Sequence, residues 1–279
     1  MTIQSGYSRL LGKGWIKLFG SQNYQNIRRA KMRSMNYVKC ILLYLALASC
    51  GGSDSNPNST GNENTGNDDS TGSDTSGAVR FRIIFDATWT AADFPTNFPG
   101  NAHFSAIVGT AHNQQVVFWE VNGQPATTGI ESMAETGGTQ AFNDEITAAQ
   151  DSGFSLGVFQ GSGIGSGDGH TSLEFDASAN HPLITFVSMV APSPDWFVGI
   201  SGFSLLDDEG NWKIHEELTL SIYDAGTDLG LQPTSPDQDS NADSLPITLL
   251  SSDRSNTDFR LGVHFQTLNV VGTFIIDKI

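Results

Sequence analysis

The feature that most constrains the fold is a series of short apolar runs separated by clusters of Gly, Asn, Asp and Pro, beginning near residue 78. In Val79–Phe85 most apolar side chains recur at every second position, which is the period of a strand with one buried face. Many short strands of this kind predict an all-β fold, an antiparallel β-sandwich. The further strand-like runs are Ser105–Thr110, Val116–Trp119, Phe154–Phe159, Ser172–Phe175, Leu183–Val190, Phe197–Leu205, Glu217–Tyr223, Leu245–Leu250 and Phe259–Asp277.

One stretch departs from this pattern. Gly129–Glu135 and Gln140–Asp151 carry Ile, Met, Ala and Phe at helical spacing, and Gly137-Gly138 separates them. The sequence therefore predicts a short helical insertion between strands.

The N-terminal segment is typical of a lipoprotein signal peptide, at residues 35–49. Its apolar run, Cys40–Ala48, is too short to span a bilayer, which takes about 20 residues. The run ends in Leu47-Ala48-Ser49-Cys50, a lipobox in which small residues permit cleavage and the Cys50 sulfur accepts the lipid. We expect Cys50 to anchor the protein to a membrane, and the absence of Asp after it favours the outer membrane, at the periplasmic face or the cell surface. The alternative is an ordinary signal peptide with a chance Cys.

Residues flanking this signal are interpreted as non-globular. Residues 1–34 precede a complete signal peptide and are interpreted as an over-extended start. Residues 50–77 comprise the lipidated Cys and a tether of Gly, Ser, Asn, Thr and Asp, which buries too little apolar surface to fold. The domain organisation predicted is therefore a signal, a tether and one domain at 78–279.

Charge and cysteine content exclude several classes of function. All 30 Asp and Glu residues follow Cys50, where only six basic residues occur. A surface this acidic repels nucleic acid and attracts cations. We therefore expect no nucleic-acid partner. Both cysteines lie in the N-terminal segment, so the predicted domain has no disulfide and no thiolate nucleophile.

Two carboxylates stand in turn-rich segments beside apolar strands. Asp195 lies in Pro192-Ser193-Pro194-Asp195-Trp196, and Asp224 opens Asp224-Ala225-Gly226-Thr227-Asp228. Carboxylates on loops that a β-fold brings together are typical ligands of a hard cation such as Ca²⁺. The alternative is that each aspartate only caps its own turn.

The order of short motifs along residues 81–230 resembles the spondin N-terminal domain family. The most specific are the two segments just described, together with Met133-Ala134-Glu135-Thr136-Gly137 and His181-Pro182-Leu183. The remaining motifs are Trp89, Phe94-Pro95, Phe98-Pro99, His103-Phe104-Ser105, Gly109, His112, Trp119, Gly123 and Asp144-Glu145-Ile146.

The resemblance implies a C2-like β-sandwich that holds one divalent cation, expected to be Ca²⁺, and acts outside the cell in adhesion or recognition. The family's ligands match Asp176, Asp195 and Asp224, with Glu174 and Asp228 as further candidates. Animal relatives carry disulfides and additional modules that this chain lacks, so their receptors are not transferred. We expect a membrane contact through the lipid anchor and an extracellular protein or glycan as ligand.

No residue pattern identifies catalytic residues. Asp237–Asn241 imitates the start of an EF-hand loop, but Ala242 replaces the Gly that such a loop needs, so we interpret it as a solvated loop. The leading hypothesis is therefore a non-enzymatic, membrane-anchored recognition module. Two alternatives stay open: a metal-assisted hydrolase, and a structural subunit of the cell envelope whose sandwich edge pairs with a partner strand.

Overall fold

The computed structural model describes residues 77–95, 97–240, 245–250 and 270–279. The predicted start, signal peptide, lipidated Cys50 and tether lie outside these residues. The strands are β1 (Val79–Thr88), β2 (His103–Phe104), β3 (Val108–His112), β4 (Phe159–Gln160), β5 (Asp168–Ala177), β6 (Leu183–Ala191), β7 (Trp196–Ser204), β8 (His215–Ser221), β9 (Tyr223–Asp224), β10 (Thr248–Leu249) and β11 (Val270–Lys278). The helices are α1 (Thr128–Thr136) and α2 (Gln140–Asp151). Neither of these helices is long and apolar enough to cross a membrane.

The strands form two antiparallel sheets, which confirms the predicted sandwich. One sheet has four strands in the order β5-β1-β11-β8. The other has seven, in the order β10-β9-β7-β6-β3-β4, with β2 paired to the end of β6. The chain passes from the first sheet to the second between β8 and β9, at Ile222.

The seven-stranded sheet is buried on both faces. One face packs against the four-stranded sheet, where Phe186 of β6 meets a core that includes Phe85 and Phe274. The other face packs against the helices, where Val187 of β6 joins Met133 and Phe142. This two-sided burial explains why β6 is almost continuously apolar instead of alternating.

The helical insertion is confirmed at nearly the predicted bounds. The side-chain oxygen of Thr127 accepts a hydrogen bond from the Ile130 N–H at 3.3 Å, and α1 ends at Gly137 in the left-handed conformation. Glu145 of α2 accepts hydrogen bonds from the Gly129 N–H at 2.7 Å and from the Thr127 hydroxyl at 2.8 Å. The two helices are thus joined at the start of α1 by one carboxylate.

Two predicted strands are largely absent from the structure. A third, Leu245–Leu250, forms a strand only at β10, and residues 259–269 of the predicted Phe259–Asp277 lie outside the described residues. Val116–Trp119 forms no strand, because Phe118 and Trp119 are buried by contacts with the helical core and not by strand pairing. Only Phe159 of the run Phe154–Phe159 lies in a strand, β4. Both predictions were wrong because an apolar run shows that a segment is buried and does not show which neighbour buries it.

His112 lies at the end of β3, 1 % exposed, and joins three strands. Its Nδ1 lies 2.9 Å from the Asn113 carbonyl oxygen, so Nδ1 donates and Nε2, 2.8 Å away, accepts from the Thr185 hydroxyl. The Thr185 hydroxyl in turn accepts from the Gly202 N–H of β7 at 3.0 Å. Burial lowers the pKa of His112, and the neighbouring His181 adds to that effect, whereas the bond to Asn113 opposes it.

We expect His112 to make folding less stable in acid. Because its folded pKa lies below the value of the unfolded chain, its contribution is full above about pH 6.5 and declines as the pH falls through the unfolded and then the folded pKa. The measurement is the free energy of unfolding by urea at pH 7.5 and 5, compared between wild type and His112→Gln. Subtraction removes the contributions of other groups, and His170→Gln, at an exposed position, is the control. An unchanged difference between the two pH values would contradict the assignment.

Candidate cation site

Two of the predicted ligands lie side by side at one end of the seven-stranded sheet. Asp195 directly precedes β7, and Asp224 ends β9. Trp196 and Asp224 are direct partners in the β7–β9 ladder, and the Ala225 N–H donates to the Asp195 carbonyl at 3.1 Å. Strand pairing therefore holds the two aspartates together.

The carboxylate of Asp195 is completely buried. Its Oδ2 accepts hydrogen bonds from the backbone N–H groups of Thr227 at 2.8 Å and Asp228 at 3.2 Å. Its Oδ1 is buried and has no hydrogen-bond partner. An unsatisfied buried carboxylate oxygen is costly, so this atom marks a place where a proton or a cation would be stabilised.

Electrostatics agree with this geometry. Burial, together with the adjacent carboxylate of Asp224, raises the pKa of Asp195 from 3.8 to about 7, although the amides of Thr227 and Asp228 oppose the shift. Near neutral pH Asp195 therefore holds a proton in part of the molecules, in the absence of a positive ion.

Two further aspartates border the same space. Asp224 is 4 % exposed and Asp228 is 7 % exposed. Oδ1 of Asp224 accepts from the Gly226 N–H at 3.0 Å, while Asp228 accepts from the Gly230 N–H through Oδ1 at 2.5 Å and from the Gln238 N–H through Oδ2 at 2.9 Å. Three carboxylates are thus concentrated beside one loop, of which Asp228 was only a secondary candidate from the sequence.

These side chains do not yet have the geometry of a metal site. Among the residues that the structure describes, no three Asp, Glu, His or Cys side chains are arranged closely enough to hold a metal ion. The reason is visible in the bonding of Asp195, Asp224 and Asp228, since each directs at least one oxygen to a backbone amide.

Asp176 and Glu174 lie elsewhere. Both are on β5, at the edge of the four-stranded sheet, opposite Arg80 and Arg82 of β1. Arg80 forms ion pairs with both carboxylates at 3.4 Å, and Arg82 forms one with Glu174 at 3.1 Å. The structure therefore brings together Asp195, Asp224 and Asp228 and places Asp176 and Glu174 in a separate ion-pair cluster.

Glu135 of α1 also faces this loop, a position that no sequence pattern indicated. The side chain of Thr227 hydrogen-bonds to it, and its Oε1 is a buried atom without a hydrogen-bond partner. Burial raises its pKa, with additional contributions from Glu131, Asp228 and Asp239, against the opposing bond from Thr227. The motif Met133–Gly137 was the available signal, but it specified a helix and not its neighbour.

Comparison with known proteins identifies the domain. The family model described as Spondin_N matches residues 79–260, which include every strand from β1 to β10 and the aspartate cluster. The chain belongs to the spondin N-terminal domain family.

Individual relatives agree with this family. The chain is 36 % identical to Spondin-2 of Homo sapiens over 161 residues, which is 56 % of this chain and 48 % of that protein. It is 37 % identical to Spondin-2 of Rattus norvegicus over the same length, and 31 % identical to Spondin-1 of Mus musculus over 170 residues, which is 58 % of this chain and 21 % of that protein. The chain thus spans about half the length of the Spondin-2 proteins and about a fifth of Spondin-1.

Proposed function

We propose that this spondin domain is an extracellular adhesion or recognition module whose loops are ordered by one divalent cation. The main support for a bound cation is the buried Asp195 Oδ1, which has no hydrogen-bond partner and lies beside a second carboxylate. Asp195, Asp224 and Asp228 would hold the ion once their carboxylates turn toward it from the backbone amides that they now accept from. Its positive charge would offset the burial and the repulsion by Asp224 that together raise the pKa of Asp195.

The donor set fits Ca²⁺ better than a transition metal. Carboxylates are hard oxygen ligands, and Ca²⁺ takes six to eight oxygens, so backbone carbonyls and water would complete the shell. No Cys or His belongs to the cluster, whereas zinc sites in proteins are rich in both. The same burial favours a structural role over hydrolysis, because a catalytic metal needs a coordination position open to substrate and Asp195 is 0 % exposed.

The proposed location follows from the N-terminal sequence. A lipid on Cys50 would hold the protein on the outer membrane, and residues 51–77 would keep the domain clear of the lipid surface. The family adds support for an extracellular role, and the recognised ligand would be a protein or a glycan.

Calorimetry of the full chain tests the cation. We expect Ca²⁺ at 100 times its Kd to stabilise the domain by about 2.7 kcal/mol, which raises Tm by roughly 5–10 °C, and EDTA to reverse the effect. The double substitution Asp195→Asn with Asp224→Asn should abolish the response. Asp176→Asn is the matched control and should retain it, because Asp176 pairs with Arg80 on the other sheet. A wild-type Tm that is equal in Ca²⁺ and in EDTA would refute the proposal.

A further inference from the structure

A groove opens where the two sheets separate, away from the aspartate cluster. The chain leaves β8 at Ser221 and joins the other sheet at Tyr223, so β7 and β8 diverge on the N-terminal side of this crossing. Gly199–Phe203 of β7 and Glu217–Thr219 of β8 line the resulting space, and the segment around Trp119 closes one side. The volume is about 730 Å³.

Two sheet edges face this groove. β7 pairs with β9 only at Trp196 and Phe197, and no other strand of the described residues pairs with β7 on that side up to Ser204. Within the same part of the chain, β8 pairs with β11 alone, so its other edge is also unpaired by any strand. An edge of this kind presents a row of backbone donors and acceptors that an added strand can satisfy.

The groove also offers apolar contacts. Ile200, Leu218 and Trp119 contribute to its walls. At its rim Val117 is 65 % exposed and Val121 is 40 % exposed, so both aliphatic side chains are open to an occupant. Strand addition combined with apolar pockets is the usual basis of peptide binding at a sheet edge, since the backbone gives affinity and the pockets give specificity.

The charges in the groove are negative. Glu120 and Glu217 are exposed in its lining, and none of its described lining residues is Lys or Arg. Outside the lining, His215 lies 3.4 Å from one oxygen of Glu217, and the Lys213 ammonium lies 4.4 Å from the centre of the Phe203 ring. His112, inside the lining, has a lowered pKa. The groove therefore complements a positively charged occupant.

From these observations we infer that the groove binds an extended peptide of a partner protein, with apolar side chains at alternate positions and Lys or Arg between them. The peptide adds as a strand to the β7 edge at residues 198–204. Its apolar side chains enter the space between β7 and β8, and its basic side chains lie near Glu120 and Glu217. This site is separate from the aspartate cluster and does not depend on the cation.

The first experiment identifies the chemistry of the occupant without assuming it. A display library of random nonapeptides is selected on the purified full chain, and the recovered peptides are sequenced. We expect peptides with alternating apolar residues and an excess of Lys and Arg. Recovery of no peptides, or of acidic or helix-patterned ones, would overturn the inference.

The second experiment tests the place and the mode of binding. The Kd of the strongest selected peptide is measured by fluorescence polarisation with wild type, Val117→Lys and Ile214→Lys. The last variant is the matched control, because Ile214 is 73 % exposed and lies outside the groove. We expect Val117→Lys to weaken binding at least tenfold and Ile214→Lys to leave it unchanged. Equal effects would overturn the site.

Strand addition is tested on the peptide itself. N-methylation at alternate residues removes the backbone donors on one edge, so one of the two alternating methylation patterns should weaken binding at least tenfold while the other does not. Hydrogen exchange of residues 198–204 should slow in the complex. Wild type should bind the peptide with equal affinity in Ca²⁺ and in EDTA, so failure of the cation proposal leaves this result intact. If both methylated peptides bound as tightly as the unmethylated peptide, strand addition would be excluded.

Discussion

Replacing Asp195 with asparagine should stabilise the cation-free domain and at the same time abolish its response to Ca²⁺. An amide carbonyl can accept the hydrogen bonds that Thr227 and Asp228 now donate to Oδ2. The amide nitrogen then takes the place of the unpartnered Oδ1, and the uncharged amide no longer repels the neighbouring Asp224 carboxylate. We expect a gain of about 2 kcal/mol in EDTA, because the cost of a buried charge beside a second carboxylate is removed. In saturating Ca²⁺ the wild type should be more stable than Asp195→Asn, because only the wild type binds the ion.

The pH dependence of this gain has a definite sign. The folded pKa of Asp195, about 7, lies above its value of 3.8 in the unfolded chain, so ionisation of this group opposes folding. The penalty is absent below about pH 3.8 and grows as the pH rises through the folded pKa, so the advantage of Asp195→Asn should be larger at pH 8 than at pH 5. Chemical denaturation in EDTA at both values measures it.

The control for charge is Asp237→Asn, which removes one exposed acidic group from the neighbouring loop. It should alter the stability in EDTA by less than about 0.5 kcal/mol and leave the Ca²⁺ response intact. If Asp195→Asn destabilised the cation-free domain, or if the variant still responded to Ca²⁺, the role assigned to Oδ1 would be wrong.

Gly226→Ala should be among the most damaging single substitutions in the loop. Gly226 has a φ of +80°, and an added Cβ would lie 2.3 Å from the Leu245 carbonyl oxygen. Because this oxygen is a backbone atom, it cannot turn away as a flexible side chain would. The Gly226 carbonyl accepts from the Leu245 N–H at 2.9 Å, so the two backbones cannot separate without losing that bond. We expect a loss of about 3 kcal/mol or more in the free energy of unfolding, together with loss of the Ca²⁺ response.

Gly210→Ala separates strain from collision. Gly210 has a nearly equal φ of +83°, but no atom lies within 4 Å of its added Cβ. Its substitution should cost only about 1 kcal/mol, the price of a left-handed alanine, and should leave the Ca²⁺ response unchanged. Similar losses for the two variants in urea denaturation would show that the contact with Leu245 carries no weight.

The sequence predicted the parts of the fold that depend on local pattern. The alternating residues of β1 and the helical spacing in α1 and α2 specified their elements because each period reports which side of an element is buried. The strand predicted at Val116–Trp119 is absent, because Phe118 packs on Phe142 of α2 and Trp119 packs on Phe197 and Tyr223. Turn composition likewise selected Asp195 and Asp224 as candidate ligands, and the ends of neighbouring strands place these two residues side by side.

The sequence does not indicate which residue lies opposite a given side chain on the neighbouring strand or helix. Asp176 and Glu174 share one face of a strand, as the side-chain period requires, but their partners Arg80 and Arg82 are set by the pairing of β5 with β1. In the same way Glu135 joins the aspartate loop only because the helices cover the outer face of the larger sheet. Both facts depend on contacts between distant segments, for which a single sequence provides no pattern.

Because the larger sheet is buried on both sides, its strands lack the polar–apolar alternation that usually specifies strand register. A one-residue slip of β6 would exchange Phe186 with Val187, and each would still enter an apolar layer. The hydroxyls of Thr185 and Ser188 are different, because each has a single correct position. Thr185 must meet His112 and the Gly202 N–H, and Ser188 must donate to the Ser105 carbonyl at 2.8 Å. These two hydroxyl groups therefore fix the register of β6, which the apolar side chains alone would leave unspecified.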